Sequence, residues 1–389
     1  MIRPMTDMAD DGVREEPHQT NMLTHACTFV GMVTLLVYFI TFSPFGDLSD
    51  PRRLTESVGN EGPLYFFAFC AVMIGAGCLY LRHLTASILV QITKCNLLLL
   101  AWLSLTVVLS SDPGTSLRRL ALTDATFLVA AMLPWLVTGP RQLANLLIVA
   151  ACVVLYLCYA GTALVPGLTI HQASDVVEPH LAGDWRGIYG YKNITAEVMA
   201  VFVFVFVFVI VGALVSISAF VFLLLSGGKS ALGVLFLTAA IAFIVVRSQT
   251  LWMKALVAFV PLLLLAFLSI GTVVSNTAAS ILQLLPIDPT FTGRTDVWRF
   301  ALEKISAKPI TGHGFEAFWY SSAALFGSED PTQWAGSAHT SHNGYLDLAL
   351  TIGAPGLLLV LIAFLAVPRS ITFIMPSRPR RTAAWRSSF

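Results

Sequence analysis

ITAEVMAVFVFVFVFVIVGALVSISAFVFLLL, residues 194–225, carries no charge after Glu197. Its centre alternates Phe and Val, a composition that favours strands. A lone strand in a bilayer leaves its N–H and C=O groups unsatisfied, so in a membrane chain the run reads as helix. As one helix it is about 48 Å long at 1.5 Å per residue, more than a bilayer core of about 30 Å requires. As two it is a tight hairpin of short helices turning near Gly212. The choice sets the span count, and it sets the side on which the loop before residue 194 emerges.

The rest of the chain shows that the medium is lipid. Of 389 residues, 56% are hydrophobic and 12% charged, against about 25% charged in soluble domains. The mean hydropathy is +0.78. Further apolar runs lie at about 24–43, 63–81, 87–110, 119–138, 142–160, 231–246, 255–273 and 345–367. The expectation is an all-α polytopic integral membrane protein with about ten transmembrane helices. A net charge of +1 gives no field for nucleic acid, so no nucleic-acid partner is expected. Cys27, Cys70, Cys78, Cys95, Cys152 and Cys158 lie in or beside apolar segments and form no CxxC, which makes them small core residues. Residues 1–23 mix acids with bases and read as a cytoplasmic tail rather than a signal peptide, with the first span an uncleaved anchor.

Loop charge orients the chain. Arg369, Arg378, Arg380, Arg381 and Arg386 make 368–389 a basic cytoplasmic tail, and Arg247 with Lys254 marks another cytoplasmic turn. The organisation expected is a helix bundle over 24–273, a large outward loop over 274–344, and a last transmembrane helix at 345–367. The short SGGKS turn at 226–230 also faces outward, and so does the loop at 161–193 if 194–225 is a hairpin.

Chemistry concentrates on that outer face. TGRTDVWRFALEKISAKP, 292–309, is an amphipathic helix with Arg294 at its start. A cation opposes the macrodipole there, unless an anion is shared with the free N–H groups. In LLLSGGKSALGVL, 223–235, two glycines precede Lys229, but GxxxxGK[ST] is not met because Leu223 stands at the first glycine position. AHTSHNGYLDLALTIGAPGLLL, 338–359, puts His339, His342, Asn343 and Asp347 at the mouth of an apolar helix that Pro355 is expected to kink. His339 and His342 form HxxH without a further ligand nearby, so no metal is expected. GDWRGIYGYKN, 183–193, interleaves Arg186 and Lys192 with Trp185, Tyr189 and Tyr191, and SSDPGTSLRRL, 110–120, adds Arg118 and Arg119. No DxD, Walker, HExxH, GxSxG or Rossmann pattern is present, so no cofactor is expected. Separated cations and a histidine suit a donor that already carries a lipid-linked diphosphate leaving group.

At these residues the chain resembles the O-antigen ligase and O-antigen polymerase superfamily, most closely its exopolysaccharide-production polymerase-like branch. The elements are SDPGTSLRRL (111–120), GIYGYKN (187–193), LLLSGGKSALG (223–233), GRTDVWRFALEKISAKPITGHGFEAFW (293–319) and the 338–359 stretch. The resemblance implies a metal-independent glycosyltransferase of the bacterial inner membrane, with its active site facing the periplasm. It transfers glycan from an undecaprenyl-diphosphate-linked oligosaccharide to an acceptor glycan or lipid A core. It implies His342 as the catalytic residue and Arg294 and Lys229 as diphosphate-binding residues. Arg186, Lys192, Arg118, Arg119, Asn343 and His339 are substrate-binding candidates. Partners implied are membrane lipids and a polysaccharide chain-length regulator or export proteins.

The family has a cytoplasmic loop within the region matching 194–225 and further spans after 345–367. This chain shows almost none of the former and ends in PSRPRRTAAWRSSF. An inactive truncated paralogue is therefore one competing reading. A small-solute transporter is another, and it would place ionisable groups mid-span. Lys94 and Asp124 are the main examples here.

Overall fold

The computed structural model describes residues 17–40, 44–50, 62–81, 85–176, 179–207, 210–248, 250–283, 294–320 and 340–374. These form α1 (Pro17–Ile40), α2 (Gly62–Leu81), α3 (Thr85–Val108), α4 (Pro113–Leu136), α5 (Pro140–Leu164), α6 (Lys192–Phe206), α7 (Ile210–Leu225), α8 (Lys229–Arg247), α9 (Leu251–Val274), α10 (Asn276–Gln283), α11 (Arg294–Ala307) and α12 (Gly344–Ile374). Among the described residues there is no strand, only an isolated bridge between Ile170 and Trp185. The chain is an all-α polytopic membrane protein. Within the described residues, 5 helices are long and apolar enough to cross a membrane: Met22–Ile40, Pro113–Leu136, Pro140–Leu164, Lys229–Arg247 and Gly344–Ala363. The stretches Phe66–Cys78, Leu97–Val108, Gly212–Leu225 and Trp252–Pro261 are apolar but shorter. Two ends differ from expectation, since α1 starts inside the expected N-terminal tail and α12 runs on to Ile374.

Contacts divide the chain into two compact units, Met1–Thr85 with Phe127–Phe236, and Ala86–Thr126 with Leu237–Phe389. In the first unit the 194–225 run is a helical pair. α6 and α7 have 15 and 16 residues, so each is only about 22–24 Å long. α6 ends at Phe206 and α7 begins at Ile210, so the helices separate ahead of the expected Gly212, which is buried inside α7. Ser216 Oγ donates to the Val203 carbonyl across the pair at 3.2 Å. The helix sorts the Phe–Val alternation differently from a strand: Phe202 and Phe206 are buried while Val201 and Val205 are exposed. The buried residues join Val154 and Cys158 of α5 and Ala219 and Phe222 of α7 in one core. Tyr159 Oη donates to the Ser218 carbonyl at 2.8 Å, fastening α5 to α7.

In the second unit Asp112 caps α4, accepting the Thr115 N–H at 3.1 Å with Pro113 at the first helical position. Leu103, Val107, Leu120, Phe315 and Ile352 form one cluster. Val297, Phe300, Ala301, Phe318, Trp319 and Leu350 form a second, which seats α11 and the 315–319 segment against α12.

α12 is broken at Gly353, with φ 70° and ψ 175°. Pro355 was the expected kink. It has no N–H for the carbonyl four residues back, that of Thr351, and the departure itself falls on the nearby glycine, which tolerates a positive φ. The freed carbonyls are taken up within the unit. His313 N–H donates to Leu350 O, and Gly314 N–H to Thr351 O, both at 2.9 Å. Trp102 Nε1 donates to Ile352 O at 2.9 Å, and Ala354 N–H donates to Pro309 O at 2.9 Å. Irregular backbone inside an apolar helix is stable only when protein supplies such partners.

Candidate functional site

The mouth of α12 is built by backbone capping. Asn343 Oδ1 accepts the N–H groups of Tyr345 and Leu346 at 3.2 and 3.4 Å, which is N-cap geometry. The chain reaches that cap through His342, whose φ is 52°, a conformation uncommon outside glycine. The His342 side chain is exposed. The peptide groups leading into it are engaged. Ser341 N–H donates to Asp347 Oδ1 at 3.0 Å, and Ser341 O accepts Trp298 Nε1 at 2.8 Å. His342 N–H donates to Thr340 Oγ at 3.2 Å, and that hydroxyl donates to Asp347 Oδ2 at 2.8 Å. Trp319 Nε1 completes the set with a 2.9 Å bond to Asp347 Oδ1.

α11 is tied to this mouth through Trp298, and Arg294 begins the same helix. Arg294 is half-buried. Trp298 follows one turn later on the same face and is buried. Because its indole holds the Ser341 carbonyl, the residue before His342 is bonded to a side chain of α11 one turn from Arg294. The N–H groups of the first turn, which have no partner within the helix, and the arginine make it a place that favours an anion. Asp296, also in the first turn, is paired with Arg299 at 2.9 Å and both are exposed.

The 308–316 loop borders this region. His313 is buried, and its Nε2–H donates to Lys304 O at 3.0 Å. Burial, aided by the charges of Lys308 and Lys304 and opposed by that hydrogen bond, holds its imidazole below the usual 6.5. At the start of α4, Ser116 Oγ donates to Phe315 O at 3.1 Å, and Ser110 Oγ donates to His313 O at 3.2 Å. Hydrogen bonds from Thr115 keep Asp112 below the ordinary carboxylate value. Arg119 lies 3.7 Å from Glu316, while Arg118 is exposed and touches Thr115 Oγ at 3.3 Å. This unit therefore gathers His342, Asn343, Arg294, Arg118 and Arg119. His339 lies outside the described residues.

The other three candidates belong to the first unit. Lys229 is exposed at the head of α8. The turn before it needs Gly228, because a Cβ there would collide with that of Ala196. Lys192 pairs with Asp184 at 2.5 Å, and a Cβ on Gly227 would meet that carboxylate at 2.7 Å. Trp185 N–H donates to Leu225 O at 3.1 Å, so the 183–192 loop lies on the glycine turn. Arg186 was expected to face substrate. It is instead only 1% exposed and donates to Tyr189 O at 3.1 Å and Gly46 O at 2.8 Å. This is a buried tie between two loops. Two nitrogens of the guanidinium, whose place in the sequence suggested an outward role, donate to backbone carbonyls.

Residue types alone did not single out Trp298, Trp319, Glu316 or His313. Only Trp298 carried a usable signal, its one-turn spacing from Arg294.

The family model for O-antigen ligase matches residues 212–361. The matched region holds Lys229, Arg294 and His342 and begins after Arg118, Arg119, Arg186 and Lys192. The match supports placing the chain with the O-antigen ligase and polymerase superfamily and supports a function of that general type, glycosyltransferase-like and acting on lipid-linked oligosaccharide and acceptor glycan. Searches of curated proteins and of solved structures returned no match to the chain.

Proposed function

We propose, proceeding from the O-antigen ligase match, that this chain is a glycosyltransferase that polymerises or ligates surface polysaccharide. It takes glycan from an undecaprenyl-diphosphate donor and delivers it to an acceptor sugar at the periplasmic face of the bacterial inner membrane. The observation that carries the reading is the bond from Trp298 Nε1 to Ser341 O. It joins the cationic start of α11 to the histidine at the mouth of α12.

On this reading His342 takes the proton of the acceptor hydroxyl. The oxygen then forms a bond to the anomeric carbon of the donor. The bond from that carbon to the diphosphate oxygen breaks, and its electron pair leaves with the diphosphate. Arg294 and the first-turn N–H groups of α11 stabilise the departing charge. Lys229 is a further diphosphate-binding cation on the strength of the resemblance. Arg118, Arg119, Lys192 and Asn343 remain substrate-side candidates, Asn343 through the cap it supplies, and Arg186 becomes a structural residue.

The test uses proteoliposomes of the full chain with a labelled undecaprenyl-diphosphate oligosaccharide, with and without lipid A core. A ladder of longer lipid-linked glycans identifies a polymerase, and label on lipid A a ligase. His342→Ala should lower kcat by roughly 10²–10⁴-fold. Arg294→Ala and Lys229→Ala should each weaken use of the donor. Transfer should survive EDTA. Wild-type turnover in His342→Ala would remove the proposed base.

A further inference from the structure

Asp347 is more than the first acidic residue of a helix. Its Oδ1 accepts Trp319 Nε1 and Ser341 N–H at 2.9 and 3.0 Å, and its Oδ2 accepts the Thr340 hydroxyl at 2.8 Å. That last bond fixes where the hydroxyl proton points. The Thr340 lone pairs are thereby left for the His342 N–H, which donates to them at 3.2 Å. Two short routes therefore run from one carboxylate to the two successive peptide groups that lead into the His342 α-carbon, those on either side of the Ser341 α-carbon. One passes through Ser341 N–H and the other through Thr340 Oγ. Trp298 holds the other side of the 341–342 peptide, at the Ser341 carbonyl. An uncommon positive-φ residue persists only when its surroundings over-determine it, and here those surroundings converge on Asp347.

We infer that Asp347 is the positioning residue for His342: through Thr340 and the Ser341 amide it holds the imidazole at the point where the acceptor hydroxyl arrives. It does not touch substrate. This rests on the proposed role of His342. Asp347 requires only an acceptor pair in the right place, which an amide supplies in part. Asn at this position keeps an oxygen for Trp319 and Ser341, and its Nδ2 donates to Thr340 Oγ while that oxygen still accepts from His342. Ala keeps nothing.

The experiment is a double-mutant cycle on the full chain in proteoliposomes with a labelled polyprenyl-diphosphate oligosaccharide. Asp347→Ala should lower kcat by roughly 10²-fold, the size of effect a misplaced reacting group produces. KM for the donor should stay within about 3-fold, and Asp347→Asn should recover most of the loss. In a His342→Ala background, Asp347→Ala should cost nothing further, because it acts only through that side chain. Where Asp347→Ala does not accumulate, Thr340→Val removes one of the two routes at constant shape. It should lower kcat with KM unchanged, again with no added loss on His342→Ala.

Three results overturn the inference: full activity in Asp347→Ala or Thr340→Val, losses that add to that of His342→Ala, or a rise in KM with kcat intact. Wild-type turnover in His342→Ala alone fails the base itself, a different outcome from a working base with an idle Asp347.

Discussion

His342 owes its place to the backbone around it more than to its own side chain. The HN pair at the helix mouth was legible in the sequence because Asn is a good N-cap and a histidine near lipid invites explanation. The support was not legible, since Trp319 and Asp347 are 28 positions apart and no local pattern links them. Arg186 shows another limit, because a cation among aromatics gives no sign in the sequence that it is buried and bonded to backbone carbonyls. At this scale the unused histidine yields a prediction. Burial holds His313 below 6.5, so the folded protein resists a proton that the unfolded chain accepts. As pH falls through the ordinary imidazole range the unfolded state gains protons that the folded state does not, and stability declines; above that range it is flat. Thermal unfolding in detergent should show a melting temperature that drops from pH 7.5 to 5.5. His313→Gln, which keeps a donor for Lys304 O, should flatten that slope. An equal slope in the variant would assign the pH response to another group.

Elements were read well where the signal was local. Apolar length located the helices, and the 292–309 period gave α11 to within two residues. What failed was the place of each break. Gly212 looked like a turn because glycine often is one, yet it is buried inside α7, which already begins at Ile210. Pro355 marked the break in α12, but Gly353 executes it. The glycine there is irreplaceable for two reasons: its φ is 70°, and a Cβ would collide with the Ile310 carbonyl oxygen. Gly353→Ala should therefore destabilise by about 2–5 kcal/mol, summing left-handed strain and overpacking. Gly233→Ala, where a Cβ meets nothing within 4 Å, is the matched control and should be neutral or mildly stabilising. Melting temperatures of the two in detergent decide the matter; equal values would mean that the break relaxes freely.

At the scale of the whole molecule, composition alone placed the chain in a membrane, because transfer into lipid depends on summed hydropathy rather than on packing. The division into two units was not legible, since α4 and α8 each contribute to both. Charge asymmetry gives the sidedness: basic residues at 247–254 and 369–386 should lie in the cytoplasm and His342 outside. Single cysteines at 250 and 342, in a background with the six native cysteines replaced, test this with a membrane-impermeant maleimide. Position 342 should label in intact cells and position 250 only after permeabilisation. The reverse pattern would invert the topology and move the proposed chemistry to the cytoplasm.

The open carbonyls of α12 also bear on the order in which the chain is assembled. Leu350, Thr351 and Ile352 present oxygens that lipid would leave bare, at several kcal/mol each. Their donors are Trp102 in α3 and the His313–Gly314 amides, all synthesised before α12. When that helix emerges, each partner it needs already exists, the nearest only some 37 residues behind it, so ring closure is entropically cheap. α12 is thus a segment that completes a waiting template rather than one that enters the bilayer alone.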